Sequence, residues 1–575
     1  DLSKPCAVSA VALLALLPDM TRAALRRAAA PLRIYRRRNW FYRRLLTGQL
    51  ADHIAFHPYD ALPHHLEDAD ALLRGRFRFY GETVDVTDGS VFDAAPPSAQ
   101  WLEGLQSFSW LPSLAAAGGE NSRVLATNLI AQWIKRHGRY SEPAWSPHII
   151  ARRLVHLFSH GRMVIVNSDM LWRSKLFVSL REQSKMLARI AGEAPDGLPR
   201  LEAAAALALS GACLDDSPRR LEDGLKRLEA EIARQILPDG GHLSRSPEIL
   251  VHAYRHVVMV MDALGAMGRD APHTIRSAYD RMAPMLRFFR HGDGAMALFQ
   301  GGAESDPRMV AGLLARDEVR GQPFAHARHS GYQRLTAGRT LCILDCGPVP
   351  PGPFSCEAHA SCLAFEMSSG PQRIIVNCGA GGRLHRSWTP LLRATAAHST
   401  LALCDTSSAT VLPAGWAREL IGPRLLGGPV EIGTSRMETS RGWCVEASHD
   451  AYLAEFGIRH ERQFTLSPHG LMLTGADRLV PVARPRKGRA GDLGFAVRFH
   501  IHPDIRVSRL EGGGILLKLA NGEGWRFRCG GGVLGVEEGV YLGGGTVRRA
   551  EQLVVTGTVK DAPAEIAWVF EQIVS

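Results

Sequence analysis

Apolar residues change their spacing once along this chain, and that change limits the fold more than any single motif. Between Gln100 and about Ala315 they recur at helical intervals. Over 220–237, Leu221, Leu225, Leu228, Ile232 and Ile236 fall on one stripe with Glu, Lys and Arg opposite, and Pro238-Asp239-Gly240-Gly241 stops the helix. Similar spacing predicts helices over 251–267 and 274–289. Upstream, Trp101, Leu105, Phe108, Trp110 and Leu111, then Leu129, Ile130, Trp133 and Ile134, continue the pattern. Pro147 opens a helix over 149–158, since its missing N–H leaves nothing unpaired in a first turn. Beyond about Ala315 the stripes vanish, and runs at 340–344, 496–502 and 515–519 read as strands. Asn521-Gly522, between 515–519 and Trp525-Arg526-Phe527-Arg528, marks a hairpin. Paired helices followed by hairpin-linked strands predict an N-terminal (α/α) toroid over 74–315 and a C-terminal antiparallel β-sandwich over 316–575.

A length of 575 residues, 46% apolar, fits two or three packed domains. The formal charge of +11 is localised: up to Leu50 ten basic residues face only Asp1 and Asp19. Residues 1–73 are therefore a basic N-terminal arm and connector, and attraction for an acidic ligand cannot be assigned to the whole surface. Within the arm, Arg33 to Arg44 are interleaved with Tyr35, Trp40, Phe41 and Tyr42. Such a segment suits an anionic membrane surface, or a helix that packs its aromatics on the body; nucleic acid is the less expected partner. An apolar run at 6–17 is shorter than the roughly 20 residues a bilayer span needs. It has the length of a signal-peptide core, yet Arg26 and Arg27 follow rather than precede it, so export is left open. Six of the ten cysteines lie between Cys342 and Cys404, with no Cys-x-x-Cys pair, which points to buried thiols rather than a zinc ribbon.

The densest set of polar groups lies at 354–405. Leu363, Phe365 and Met367 alternate with Cys362, Ala364 and Glu366, Ser368 to Pro371 turn the chain, and Arg373 to Gly379 run back. Glu357 and His359 then stand at a strand entrance, Asn377 at the end of its neighbour, and His398 ahead of a third run at 401–404. The order Ala358-His359-Ala360, Leu363-Ala364-Phe365-Glu366, Val376-Asn377-Cys378-Gly379 and Thr395-Ala396-Ala397-His398-Ser399-Thr400 resembles the C-terminal domain of the heparinase II/III family of polysaccharide lyases. Segments such as Asp239-Gly240-Gly241-His242, His449-Asp450-Ala451-Tyr452 and Phe499-His500-Ile501-His502-Pro503 extend the resemblance over most of the chain after Leu73.

The resemblance implies β-elimination on a uronic-acid glycan in a cleft between toroid and sandwich. Such chemistry needs a cation at the sugar carboxylate, a base for the C5 proton and an acid for the leaving oxygen. The implied assignments are Glu357 or His242 as base, Arg245 on the carboxylate, His398 or Tyr254 as proton donor, and Trp145 and Arg393 beside Arg245 as substrate contacts. The family's His-x-His pair reads Glu357-Ala358-His359 here, and its zinc ligands correspond to His359, Asn377 and His398. With an amide in place of the family's carboxylate, His359 and His398 read either as a structural zinc site finished by Glu357 or water, or as a pair that hydrogen-bonds each other's strands. The family's Asn-His pair and Tyr on the toroid are also missing: Leu201 to Ala212 is almost all Ala and Leu, and Ile249 stands near the Tyr position. Two other readings follow. A glycoside hydrolase would pair Glu357 with Glu248, and a non-catalytic glycan-binding or cell-envelope scaffold would keep the fold without the base. The expected ligand is an acidic polysaccharide or oligosaccharide, and the expected compartment the cell envelope or periplasm, with the cytoplasm left open.

Overall fold

The computed structural model describes residues 14–63, 66–214, 216–317, 321–380, 387–486, 491–560 and 562–573. The apolar run at 6–17 lies outside them except for 14–17. The helices expected from the stripes form as Pro147–His160, Pro218–Gln235, Pro247–Ala266 and His273–Phe289. His273–Phe289 packs on Pro247–Ala266 and Pro218–Gln235, and the first three pack around Leu198–Leu214, in which every residue from Leu201 to Leu214 is buried. Its alanines let neighbouring helices approach closely, and two glycines bring one of them closer still. A Cβ on Gly211 would lie 2.4 Å from Leu221 N, and one on Gly224 2.3 Å from Ala208 N, so no larger residue fits either position without moving a helix. Helix Pro247–Ala266 is long and apolar enough to cross a membrane, but it packs inside the toroid.

Helix Pro307–Leu314 precedes the first sandwich strand, His326–Ala327. Two antiparallel sheets follow. In the first, Val533–Tyr541, Arg548–Val559, Leu493–Ile501, Gln372–Val376, Phe365–Ser369, Thr340–Asp345, Tyr332–Ala337 and His326–Ala327 are neighbours in that order, with Leu401–Leu403 also pairing Leu493–Ile501. In the second, Ile432–Thr439, Gly442–His449, Ile458–Leu466, Met472–Pro481, Ala564–Ile573, Gly524–Gly530, Ile515–Lys518 and Arg506–Arg509 are neighbours. Phe365, Phe464, Phe499, Phe527, Trp568 and Phe570 interlock between the sheets. Arg462 lies among these rings, 5.2 Å from the Phe365 and Phe464 centroids. It pairs with Asp477 at 3.2 Å and donates to the carbonyls of Leu363 and Ser399. Those two residues follow His359 and His398, so a core cation fixes the backbone that presents both histidines.

The loop 239–247 staples toroid to sandwich. Asp239 accepts from the backbone of His329 (2.9 Å) and Ser330 (2.7 Å). Arg245 reaches across to Asp345 and to the carbonyls of Ser330 (2.7 Å), Gly331 (3.2 Å) and Pro348 (2.7 Å), with its guanidinium 4.7 Å from the Tyr332 ring.

The arm forms helices Leu17–Ala28, Ala30–Arg38 and Trp40–Arg44. Leu17–Ala28 rests on the sandwich helix Trp416–Ile421: Met20 joins a cluster with Leu412, Ile421 and Leu426, and Asp19 pairs with Arg424 at 2.6 Å. The next helix attaches to the toroid through Arg37, which reaches Glu193 and Tyr140. Most arm aromatics are not packed on the body as one reading of the sequence had it. Tyr35, Trp40 and Phe41 are exposed, and Tyr42 alone turns inward, its hydroxyl toward Met186 Sδ.

Candidate active site

A cleft of about 1850 Å³ opens between the two domains. Its toroid wall carries His242, Glu248, Ile249 and His252, with Arg152 and Glu202 deeper; its sandwich wall carries Glu357, His359 and Arg393. Of the polar set expected at 354–405, Glu357 and His359 line the cleft opposite the loop after Pro238, whereas Asn377 and His398 do not line it.

His359 and His398 are joined. Ala394 O accepts from His398 Nδ1 at 2.9 Å, which leaves His398 Nε2 as a lone pair. His359 Nδ1 therefore holds the proton that bridges the rings, at 3.1 Å. That tautomer makes His359 Nε2 a bare acceptor on the cleft side, where the left-handed turn at Gly301 leaves room: a Cβ there would fall 3.5 Å from this atom and 2.3 Å from Glu357 O. Burial lowers His359 well below the ordinary imidazole range, and the neighbouring His398 and Arg393 lower it further. Burial also takes His398 down to about 4. Both rings are neutral at pH 7. Glu357, two residues before His359, is exposed on the cleft wall.

Asn377 does not join the pair. Its carbonyl accepts from Ser399 N (3.0 Å) and its amide donates to Glu366 (3.2 Å), so it ties strands together. The implied zinc thus lacks its third ligand: two imidazoles bridge each other, and the amide is committed elsewhere. Among the described residues no group of three His, Cys, Asp or Glu is placed to hold a metal ion.

The remaining expected site residues are largely structural. Arg245, assigned to a substrate carboxylate, is the interdomain staple, its donors taken by Asp345 and three carbonyls. Arg393 lines the cleft, yet its donors go to Ala358 O (2.8 Å), Ser355 O (2.9 Å) and Pro423 O (2.7 Å), and burial takes its pKa down to about 10. Trp145 is buried against Trp133, its Nε1 donating to His137 O at 2.6 Å. Tyr254 is buried and stacked on Tyr279, with burial raising its hydroxyl pKa far above the usual range. His242 reaches the cleft, but its ring sits between Ser244 Oγ (2.8 Å) and Gln235 Oε1 (2.9 Å), and burial takes it down to about 3. None of the four cations and donors Arg245, Arg393, Trp145 and Tyr254 is free to hold a substrate, and His242 is a poor base.

Sequence reasoning missed one pair on the cleft floor. Glu202 bonds Arg152 at 2.8 Å and lies 3.5 Å from His256. Burial alone would raise this carboxyl, but Arg152 and His256 outweigh it and hold it far below the carboxylate range. The signal was present: Glu202 is the one charged residue in the Ala- and Leu-rich run 201–212.

Residues 319–569 match the family sequence model described as heparinase II/III-like, C-terminal. Over 549 residues the chain is 31% identical to FtsZ-localized protein C of Caulobacter vibrioides (strain NA1000 / CB15N), covering 92% of this chain and 93% of that protein. The fold is similar to that of heparinase III, with a TM-score of 0.70 at 14% identity over 97% of this chain and 92% of the other. It is also similar to heparan sulfate lyase HepC from Pedobacter heparinus (a mutant form), with a TM-score of 0.61 at 14% identity over 91% and 86%.

Proposed function

The chain belongs to the heparinase II/III family, and from that membership we propose that it binds an acidic glycan in the interdomain cleft without performing β-elimination. One observation carries this reading. Arg152, Arg245 and Arg393, three of the guanidinium groups that line or back the cleft between the domains, are each engaged within the protein. None of these three is free to neutralise a uronate carboxylate while the C5 proton leaves, and elimination depends on that stabilisation. The base is deficient too. His359 Nε2 faces the cleft, but its low proton affinity is far from the working pH at which a general base is effective. What remains suits sugar binding: an elongated groove with half-buried aromatic faces at Tyr80 and Phe354 and exposed polar groups around them.

The solved lyases of similar fold are named for heparan sulfate and heparin, which supports an acidic glycan as ligand here. Incubation with a panel of acidic polysaccharides tests the reading when unsaturated-uronate absorbance, reducing ends and binding are followed together. Retained binding with neither product is the expected result. A rise in absorbance with new ends restores the lyase. New ends alone favour a hydrolase, for which Glu357 and Glu248 stand on opposite walls of the cleft.

The Caulobacter relative is named for localisation with FtsZ, which supports a division-associated place at the cell envelope for this chain as well. The arm supports contact with an anionic membrane surface there, because Leu25, Leu32, Tyr35, Trp40 and Phe41 stand exposed among arginines. Co-sedimentation with vesicles containing anionic lipid, but not with neutral vesicles, is expected. Equal recovery with both, or with neither, counts against the membrane contact.

A further inference from the structure

We propose that the N-terminal helix Leu17–Ala28 is the ligand-binding wall of the cleft, with Arg22 and Arg26 as the contacts for the anionic groups of the glycan. The inference rests on the glycan reading above and names the part of the protein that supplies the missing positive charge.

Asp19, Arg22, Ala23 and Arg26 all line the cleft. Their spacing of three and four residues puts them on one face of the helix. The helix spans the cleft mouth. At its start, Asp19 and Met20 anchor it to the sandwich through Arg424 and Ile421. Near its end, Arg26 comes close enough to Arg200 of the toroid that the two guanidinium groups repel.

The cleft arginines divide into two groups. Arg152, Arg255, Arg393 and Arg424 are committed: to Glu202 (2.8 Å), to Asp60 (2.7 Å), to backbone carbonyls and to Asp19 (2.6 Å). Arg26 is exposed and has no ion-pair partner among the described residues. Arg22 contacts Asp19 at 3.3 Å and its Nε donates to Pro18 O at 3.3 Å within the same helix, yet its side chain is 69% exposed. On the sandwich helix against which the arm rests, Arg418 also lines the cleft and is likewise without an ion-pair partner among the described residues. The carboxylates on the same walls include Asp196, which is held by Arg200 and Arg234, together with Glu357 and Glu419. Arg22, Arg26 and Arg418 thus gather where the arm crosses the opening, while the exposed Arg78 stands apart on the toroid wall. Guanidinium groups in that position give charge-assisted, forked hydrogen bonds to sulfate or carboxylate.

Binding of a fluorescein-labelled heparin oligosaccharide to the full chain, measured by anisotropy across a salt series, tests the assignment. Arg22→Ala combined with Arg26→Ala is expected to weaken binding by at least about tenfold and to flatten its salt dependence. Arg26→Lys keeps the charge but loses the fork and falls between the parent and the double variant, and Arg27→Ala, one residue off the lining face, stays within about twofold of the parent. The assignment is overturned if the double variant binds like the parent at every salt concentration. It is also overturned if Arg27→Ala weakens binding as much as the double variant, since the arm then acts only through its net charge. If the parent itself binds no acidic oligosaccharide, the glycan reading fails first and this inference with it. Circular dichroism of each variant confirms that these exposed substitutions leave the fold intact.

Discussion

Acidifying the protein from pH 7 to pH 4 is expected to unfold it, with the steepest loss of melting temperature between pH 6.5 and 4. His156, His242, His398 and His500 are buried and neutral, and burial is the main cause that takes them down to about 4, 3, 4 and 3. An unfolded chain protonates the same groups near 6.5. Because the folded values lie below the unfolded ones, each histidine contributes stability that is fully present above about pH 6.5 and is lost as the pH falls toward the folded value. At about 1.4 kcal/mol per pKa unit, each costs roughly 3 kcal/mol by pH 4. Four such groups together match the whole net stability of a typical domain, about 5–15 kcal/mol. The buried carboxylates Asp60, Glu202, Glu366 and Asp477 act later. Burial would raise them, but Arg255, Arg152, His291 with Arg373, and Arg462 respectively hold them below the ordinary range, so their contribution disappears only at still lower pH. Near-UV circular dichroism melts at half-unit pH steps check the order. A melting temperature that is flat to pH 4.5 and falls only below it would remove the histidines as the cause. His242→Gln, which keeps a hydrogen-bonding side chain between Ser244 and Gln235, is expected to shift the acid limb to lower pH.

The elements were legible in the sequence because their signals are local. Leu221, Leu225, Leu228 and Ile232 report a stripe wherever the helix goes, and the switch to strand spacing after Ala315 needs no tertiary knowledge. The meeting of His359 and His398 was legible only in part: each precedes a strand run, but the two starts meet because Leu401–Leu403 pairs Leu493–Ile501 just beyond the end of Gln372–Val376, the neighbour of Phe365–Ser369. Commitment of a polar group was not legible. A sequence does not say whether a guanidinium will find partners, so Arg245 and Arg393, buried with their donors on backbone carbonyls, read the same as the exposed Arg22 and Arg26. Tyr254 failed on geometry. Ile249 and His252 face the cleft, and Tyr254, two residues beyond His252, is rotated about 200° away into the toroid core. Asn377 was recognised as a poor zinc ligand, but the strand-tying role that replaces ligation depends on Ser399 and Glu366, distant in sequence.

Arg245→Ala is expected to destabilise the protein by about 3–5 kcal/mol, the usual cost of removing one member of a buried ion pair. The substitution leaves Asp345 fully buried with its charge uncompensated, and it frees the carbonyls of Ser330, Gly331 and Pro348 from their donor. The damage reaches the cleft through a short chain of contacts. Asp345 accepts from Gln300 Nε2 at 2.8 Å and from Ser361 Oγ at 2.7 Å, and Gln300 Oε1 in turn accepts from the backbone N–H of His359 at 3.1 Å. A loosened Asp345 therefore loosens the segment that presents the His359–His398 pair. A substrate-binding arginine behaves differently. Its loss leaves the melting temperature nearly unchanged and lowers affinity for the acidic glycan directly. Chemical denaturation of Arg245→Ala, read beside oligosaccharide binding at a temperature where the variant is still folded, separates the two. The staple predicts a large fall in denaturation midpoint with affinity retained within a few-fold. The opposite pair of results would return Arg245 to the ligand. Arg245→Lys does not rescue the staple, because one ammonium cannot span Asp345 and three carbonyls at once, whereas a ligand contact that needs only charge would survive that exchange.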